Sequence, residues 1–262
     1  MNMFRKIILT HAFISLSALL FLPGSNVFAE PLDSDNDALT DDQEIATYHT
    51  DPHNPDTDGD GRLDGFEVKN GFSPHTALRK KLSEIDSDHD GLNDALEIAL
   101  ATNLTNSDTD VDGKKDGEEV FAGFNPLAGE DSRAVKRHVE VDLTTQQLHY
   151  YMNDVKIGSM PVSSGKLITP TPKGEFTVLR KVPVVHYIGP GYNLPNTKWN
   201  LEFKKSFYLH GAYWHNQFGI RPMSHGCVNI AYKNAEKLYQ FLDAGDKVIV
   251  TGKTPSRVAA AR

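Results

Sequence analysis

From His138 onward, apolar residues recur at every second position in short runs. Val139, Val141 and Leu143 alternate with Glu140 and Asp142, and Leu148 and Tyr150 resume the pattern after a Thr144-Thr145 turn. Further runs lie at 156–162, 175–179, 184–188 and 206–209, separated by Gly and Pro clusters. A period of two buries one face of each run and marks strands. Near the end the period changes: Ala235, Leu238, Tyr239 and Leu242 share one face of a helix expected over 232–242. Asp243-Ala244-Gly245 ends that helix, and 247–250 reads as a last strand. Many short strands with one or two helices predict a mainly β fold, a sandwich or barrel.

Ahead of this half the apolar periodicity disappears and acids repeat instead. Asp33, Asp35, Asp37, Asp41 and Glu44 occupy positions 1, 3, 5, 9 and 12 of a loop. The same five positions hold Asp56, Asp58, Asp60, Asp64 and Glu67, then Asp86, Asp88, Asp90, Asp94 and Glu97, then Asp108, Asp110, Asp112, Asp116 and Glu119. Glycine stands at position 6 in three copies (Gly61, Gly91, Gly113) and Ala38 in the first. A calcium-sized cation takes six to eight oxygens at about 2.3–2.6 Å, which a tight loop of alternating acids can supply. The carbonyl of position 7 (Leu39, Arg62, Leu92, Lys114) adds a backbone oxygen. Loop starts lie 23, 30 and 22 residues apart, too close for two full helices around each loop. Asp51-Pro52, Asn54-Pro55, Ser73-Pro74 and Asn125-Pro126 also interrupt the connections. Over about 31–127 the pattern resembles thrombospondin type 3 calcium repeats without their disulfides. That resemblance implies a helix-poor stalk or spacer stiffened by structural calcium.

Charge divides the chain at the same place. Residues 30–131 carry 27 Asp and Glu against 7 Lys and Arg, and residues 132–262 carry 8 against 18. Two modules are expected, and the basic one suits an anionic envelope polymer. Before both, Arg5-Lys6, the apolar run 7–22 and Val27-Phe28-Ala29 read as a secretory signal cut after Ala29. Export to the periplasm or cell envelope is expected, with no membrane span in the mature chain. An oxidising compartment favours paired cysteines, yet the chain has one, Cys227. A free thiol in that setting points to use of its reactivity.

Cys227 lies in Ser224-His225-Gly226-Cys227-Val228-Asn229, and His210-Gly211 closes the 206–209 run. A thiol attacks as thiolate and needs a base in reach. Spacing leaves the choice between His210 and His225 open. Amides around Gly226 and Cys227 are candidate donors to a tetrahedral oxyanion. Tyr187, Tyr192, Trp199, Tyr213 and Trp214 stand near the motif as cleft-lining candidates, with Lys166, Lys173 and Arg221 as candidate carboxylate partners.

These residues, with Pro161-Val162-Ser163-Ser164-Gly165 and Thr171-Pro172-Lys173-Gly174-Glu175-Phe176 upstream, resemble the signatures of L,D-transpeptidase (YkuD-type) catalytic domains over about 136–252. The resemblance implies Cys227 as acyl acceptor, His210 as proton donor and acceptor, Gly211 as orienting that base through its backbone, and Ser224, His225 and Gly226 as pocket-shaping residues. Many members carry arginine where this chain has Asn229. With Tyr192, Trp214 and Arg221, Asn229 makes up the expected substrate contacts. The expected organisation is a signal at 1–29, calcium repeats at 30–131, a catalytic domain at 136–252 and a tail at 253–262. The implied activity transfers an acyl group from a tetrapeptide stem of peptidoglycan to an amine on another stem or an envelope protein. It needs no catalytic cofactor and no nucleic acid. A cysteine hydrolase of wall peptides and a calcium-dependent envelope adhesion protein are the alternatives.

Overall fold

The computed structural model describes residues 31–129, 132–133 and 135–256. The expected secretory signal at 1–29 lies outside them. In the basic half nine strands form one sheet: β1 (Arg137–Asp142), β2 (Gln147–Met152), β3 (Val155–Ser163), β4 (Gly174–Thr177), β5 (Arg180–Gly189), β6 (Tyr192–Lys204), β7 (Phe207–Ala212), β8 (Val228–Ala231) and β9 (Lys247–Thr251). Their order is β4-β9-β1-β2-β3-β8-β7-β6-β5. Two neighbouring pairs, β1–β9 and β7–β8, are parallel and the others antiparallel. The sheet curls until its β4 end meets β6, where the Phe176 and Phe203 rings pack edge to face with centroids 5.4 Å apart. The predicted alternation is visible in β1, where Arg137, Val139 and Val141 are buried and the residues between them are not.

The helix expected over 232–242 is present as Tyr232–Phe241. It buries Ala235, Leu238 and Phe241 against the sheet. Strands β6 and β8 were not among the predicted runs. β6 holds Asn193, Pro195, Asn196 and Asn200, residues that strands usually avoid. It is tolerated near the sheet edge, in a hairpin with β5.

Each acidic loop is followed by a short helix: α1 (Asp41–Gln43, continuing as a π turn over Glu44–Tyr48), α2 (Asp64–Lys69), α3 (Asp94–Leu100) and α4 (Asp116–Ala122). The segment is helix-poor, as expected. With these four numbered, Tyr232–Phe241 is α5. The loops come in pairs. Asp37 Oδ2 accepts from Gly65 N–H at 2.8 Å, and Asp90 Oδ2 from Gly117 N–H at 2.7 Å. A Cβ on Gly65 would stand 2.3 Å from Asp37 O, and one on Gly117 2.4 Å from Asp90 O. Only glycine permits that approach, and the pairing accounts for the alternation of short and long spacing between loop starts.

The expectation of a separate stalk is corrected by the second pair. Leu92, Leu100 and Val120 belong to the same buried cluster as Val139, Met160, Leu238 and Phe241. Arg137 fastens the junction. Its Nη1 donates to Gly123 O (2.9 Å) and Phe241 O (3.2 Å), and it pairs with Asp243 and Asp246. An acidic segment with only a few apolar residues can spend them on a neighbour rather than on a core of its own.

Candidate active site

Parallel strands β7 and β8 bring the site together. Their register sets His210 beside Asn229 and Leu209 beside Val228. Cys227 immediately precedes β8. The loop before it is held by the 161–165 signature. Ser163 Oγ donates to Arg221 O (2.7 Å), and the N–H groups of Met223 and Ser224 donate to Ser164 O (3.1 and 3.0 Å). Ser164 is clasped in turn by Gln146, which accepts from its N–H and donates to its Oγ, both at 2.8 Å. Gly165 lies so close to the loop that an added Cβ would sit 2.9 Å from Gly226 Cα. Thr171 Oγ1 accepts from Gly165 N–H and donates to Cys227 O. Gln146, Ser163, Ser164 and Thr171 are therefore framing residues. The sequence reading quoted three of them within motifs without giving them this job.

Gly226 adopts φ +123°, and a Cβ there would approach Phe207 Cε1 to 2.7 Å. Its N–H donates to Ser224 Oγ at 3.1 Å, and that hydroxyl donates to Cys227 O. The Gly226 amide is thus occupied. The expectation that it faces an oxyanion is corrected, which leaves the Cys227 N–H as the local donor.

His210 is 3% exposed, and its Nδ1 meets Gly211 O at 3.0 Å. A carbonyl accepts only, so Nδ1 carries the proton and Nε2 is left as the basic nitrogen. Burial holds His210 down to about 4 and pushes the Cys227 thiol up to about 11. Both groups are neutral at pH 7. The thiol keeps partial access, and its polar contacts are Ser206 O at 4.0 Å and the Tyr208 backbone. His225 is exposed and packs at a tilt against Tyr192, centroids 4.8 Å apart, which places it at the rim.

Cys227, His210, Tyr192, Trp214, Ser224, His225 and Asn229 line one cavity of about 400 Å³. Tyr187, from β5, also lines it, with its ring 5.0 Å from that of His210 and its hydroxyl bonded to Asn200 at 2.9 Å. Arg221 is not among the lining residues. Its side chain is exposed, and its carbonyl accepts from Ser163 Oγ.

In the acidic half the carboxylates of positions 1, 3 and 5 converge in all four loops, with one oxygen from each within 4.8 Å of the others. Position 6 is left-handed throughout, Gly61, Gly91 and Gly113 at φ +91°, +106° and +93° and Ala38 at +82°. The first loop therefore closes like the rest, at a cost of about 1–2 kcal/mol for the alanine. The ninth-position aspartates are a correction. Asp41, Asp64, Asp94 and Asp116 each accept from the N–H and hydroxyl of the Ser or Thr at position 2. They close the loop instead of joining the cluster. The twelfth-position glutamates are buried, and both oxygens of Glu67, Glu97 and Glu119 and one of Glu44 lack any hydrogen-bond partner. So does one oxygen each of Asp35, Asp58, Asp88 and Asp110. Burial, then neighbouring aspartates, raises Glu97 to about 9. Buried carboxylate oxygens without donors are costly unless a cation satisfies them. A hard, oxygen-seeking cation fits this donor set.

A recessed thiol just before β8 and a buried imidazole within the adjoining β7, opening on one cavity, make the geometry of a cysteine acyl-transfer site. Residues 136–250 match the family model of the L,D-transpeptidase catalytic domain, and residues 33–55, 56–71 and 108–128 match that of the bacterial TSP3 repeat. The basic half thus carries an L,D-transpeptidase catalytic domain and the acidic half TSP3 repeats. The probable L,D-transpeptidase 3 of Mycobacterium tuberculosis is 30% identical over 113 residues, covering 39% of this chain and 42% of that protein. The putative L,D-transpeptidase YkuD of Bacillus licheniformis is 26% identical over 113 residues, covering 43% and 64%. A solved L,D-transpeptidase from Mycobacterium smegmatis shares 29% identity with a TM-score of 0.43, covering 45% of this chain and 59% of that one. The chain spans less than two thirds of the length of these relatives. No helix among the described residues is long and apolar enough to cross a membrane.

Proposed function

We propose that this protein is an exported peptidoglycan L,D-transpeptidase whose nucleophile is Cys227. The observation that carries the reading is the shared cavity of Cys227 and His210, in which the only thiol of the chain faces the same space as a neutral imidazole. A tetrapeptide stem enters with its terminal peptide carbonyl at the sulfur. The Cys227 proton passes to His210 Nε2 as the sulfur adds to the carbonyl carbon, and Gly211 O steadies the imidazolium through Nδ1–H. The oxyanion faces the Cys227 N–H. Collapse breaks the peptide bond, His210 returns the proton to the departing D-alanine amine, and a thioester remains. An amine from a second stem or an envelope protein gives a proton to His210, attacks the thioester and releases the thiol.

Calcium is the cation we assign to the acidic loops. Asp33, Asp35, Asp37 and Glu44 would hold it in the first loop, with the equivalent residues in the others. Its role is structural: it would satisfy the buried carboxylates and fix the loop pairs. Catalysis uses none of it.

Incubation of the purified protein with tetrapeptide muropeptides tests the activity. Cross-linked dimers lacking one D-alanine are expected, and are absent with Cys227→Ala. Tripeptides alone would identify a hydrolase, and unchanged muropeptides would leave an adhesion role.

A further inference from the structure

Beside the nucleophile, Asn229 is 1% exposed, yet it contributes to the cavity wall. Its carboxamide meets His215 Nε2 at 2.9 Å through the atom placed as Nδ2. His215 Nδ1 lies 3.1 Å from the backbone N–H of Gln217, which can only donate. The Nδ1 lone pair is therefore taken. A neutral imidazole then carries its one proton on Nε2. Two donors cannot face each other, and the two ends of a carboxamide have the same shape. The end that meets Nε2–H is accordingly the carbonyl. The NH2 is then the other end, on a residue that lines the cavity.

We propose that His215 is a positioning residue that holds the Asn229 carboxamide with its NH2 directed into the cavity, where it donates to an oxygen of the acyl-donor peptide. The naming of that ligand rests on the acyl-transfer reading, whereas the orientation of the amide does not.

Three features support it. His215 is held by packing as well as by its bonds, its ring lying 4.8 Å from that of Phe218. Burial first, and then the Arg221 charge, keeps His215 below its ordinary range, so the neutral ring persists at neutral pH. Asn229 is also the register partner of His210, and residues opposite each other across a strand pair project to the same face. The donor thus stands beside the proton-transfer group, where an oxygen of the scissile unit would lie. A neutral amide here recognises a carbonyl as well as a carboxylate, without the long-range pull of a guanidinium.

Two arms test the proposal on the full chain. Two-bond 15N–1H spectra of the 15N-histidine-labelled protein at pH 7.5 report the tautomer, with the His215 ring assigned by its loss in His215→Gln. The Nε2–H form is expected, and an Nδ1–H form or a charged ring would overturn the assignment. In the kinetic arm, His215→Phe keeps an aromatic ring but removes the donor. It should raise KM for a tetrapeptide donor by about tenfold, more than it lowers kcat, while His215→Gln brings KM back to within about threefold of wild type. An unchanged KM in His215→Phe, or equal losses in both variants, would overturn it. If wild type shows the Nε2–H tautomer but no turnover, the acyl-transfer reading falls while the amide orientation stands. Should His215→Phe fail to fold, the wild-type tautomer still decides.

Discussion

The Gly117 N–H donates to Asp90 Oδ2 at 2.7 Å, and its Cα comes so close to the third loop that an added Cβ would lie 2.4 Å from Asp90 O. One residue thus couples the third acidic loop to the helix that closes the fourth. That helix packs on α5 and contributes Val120 to the core shared with the catalytic sheet. The coupling makes Gly117→Ala a sharp probe. The variant should lose about 1–3 kcal/mol, read as a lower midpoint in urea. Gly59→Ala is the comparison: its Cβ meets nothing within 4 Å, so only the left-handed backbone cost of about 1–2 kcal/mol applies. Equal losses in the two variants would contradict the packing argument.

Calcium removal should destabilise the β domain as well as the repeats. Without a cation, Glu67, Glu97 and Glu119 bury both carboxylate oxygens unpaired, and Leu92 and Val120 carry the effect into the common core. Excess calcium at about 100 times its Kd should add about 2.7 kcal/mol. Differential scanning calorimetry with calcium and with chelator checks this. One cooperative transition that shifts down with chelator is expected. A β-domain transition at the same temperature in both would show that the repeats are energetically separate.

The two neutral groups of the site set its pH response. His210 is depressed by burial to about 4, against an ordinary value of about 6.5. Its neutral form therefore contributes stability above pH ~6.5 that is lost as pH falls toward 4. Cys227 is raised to about 11, so its contribution is present at neutral pH and is lost as pH rises toward 11. Alkylation of the resting enzyme by iodoacetamide should be slow at pH 7. It should rise by about tenfold per pH unit through pH 9, following the thiolate fraction. Fast alkylation below pH 7 that is flat with pH would reveal a standing thiolate–imidazolium pair instead.

What the chain discloses without coordinates follows from how local each signal is. Strand β1 and helix α5 were legible because their burial periods lie within a few consecutive residues. The acid spacing likewise located every loop. The pairing of loops was not read, although it is written in Asp64-Gly65 and Asp116-Gly117 against Asp41-Asp42 and Asp94-Ala95. Glycine at position 10 is meaningful only once a second loop is seen pressing on it. Ninth-position aspartates look like ligands in one dimension, because the Ser or Thr at position 2 that saturates them lies seven residues away. His215 was passed over for a related reason: its partner Asn229 becomes a neighbour only when the chain folds back to lay β8 beside β7.

Everything catalytic depends on acylation of one sulfur. Intact-mass spectrometry of the protein, quenched in acid soon after mixing with a tetrapeptide donor and no acceptor amine, tests that most directly. The account predicts an adduct equal to the donor minus D-alanine, mapped by peptide digestion to Cys227 and lost in Cys227→Ala. An adduct persisting in Cys227→Ala, or turnover without any adduct in wild type, would contradict it.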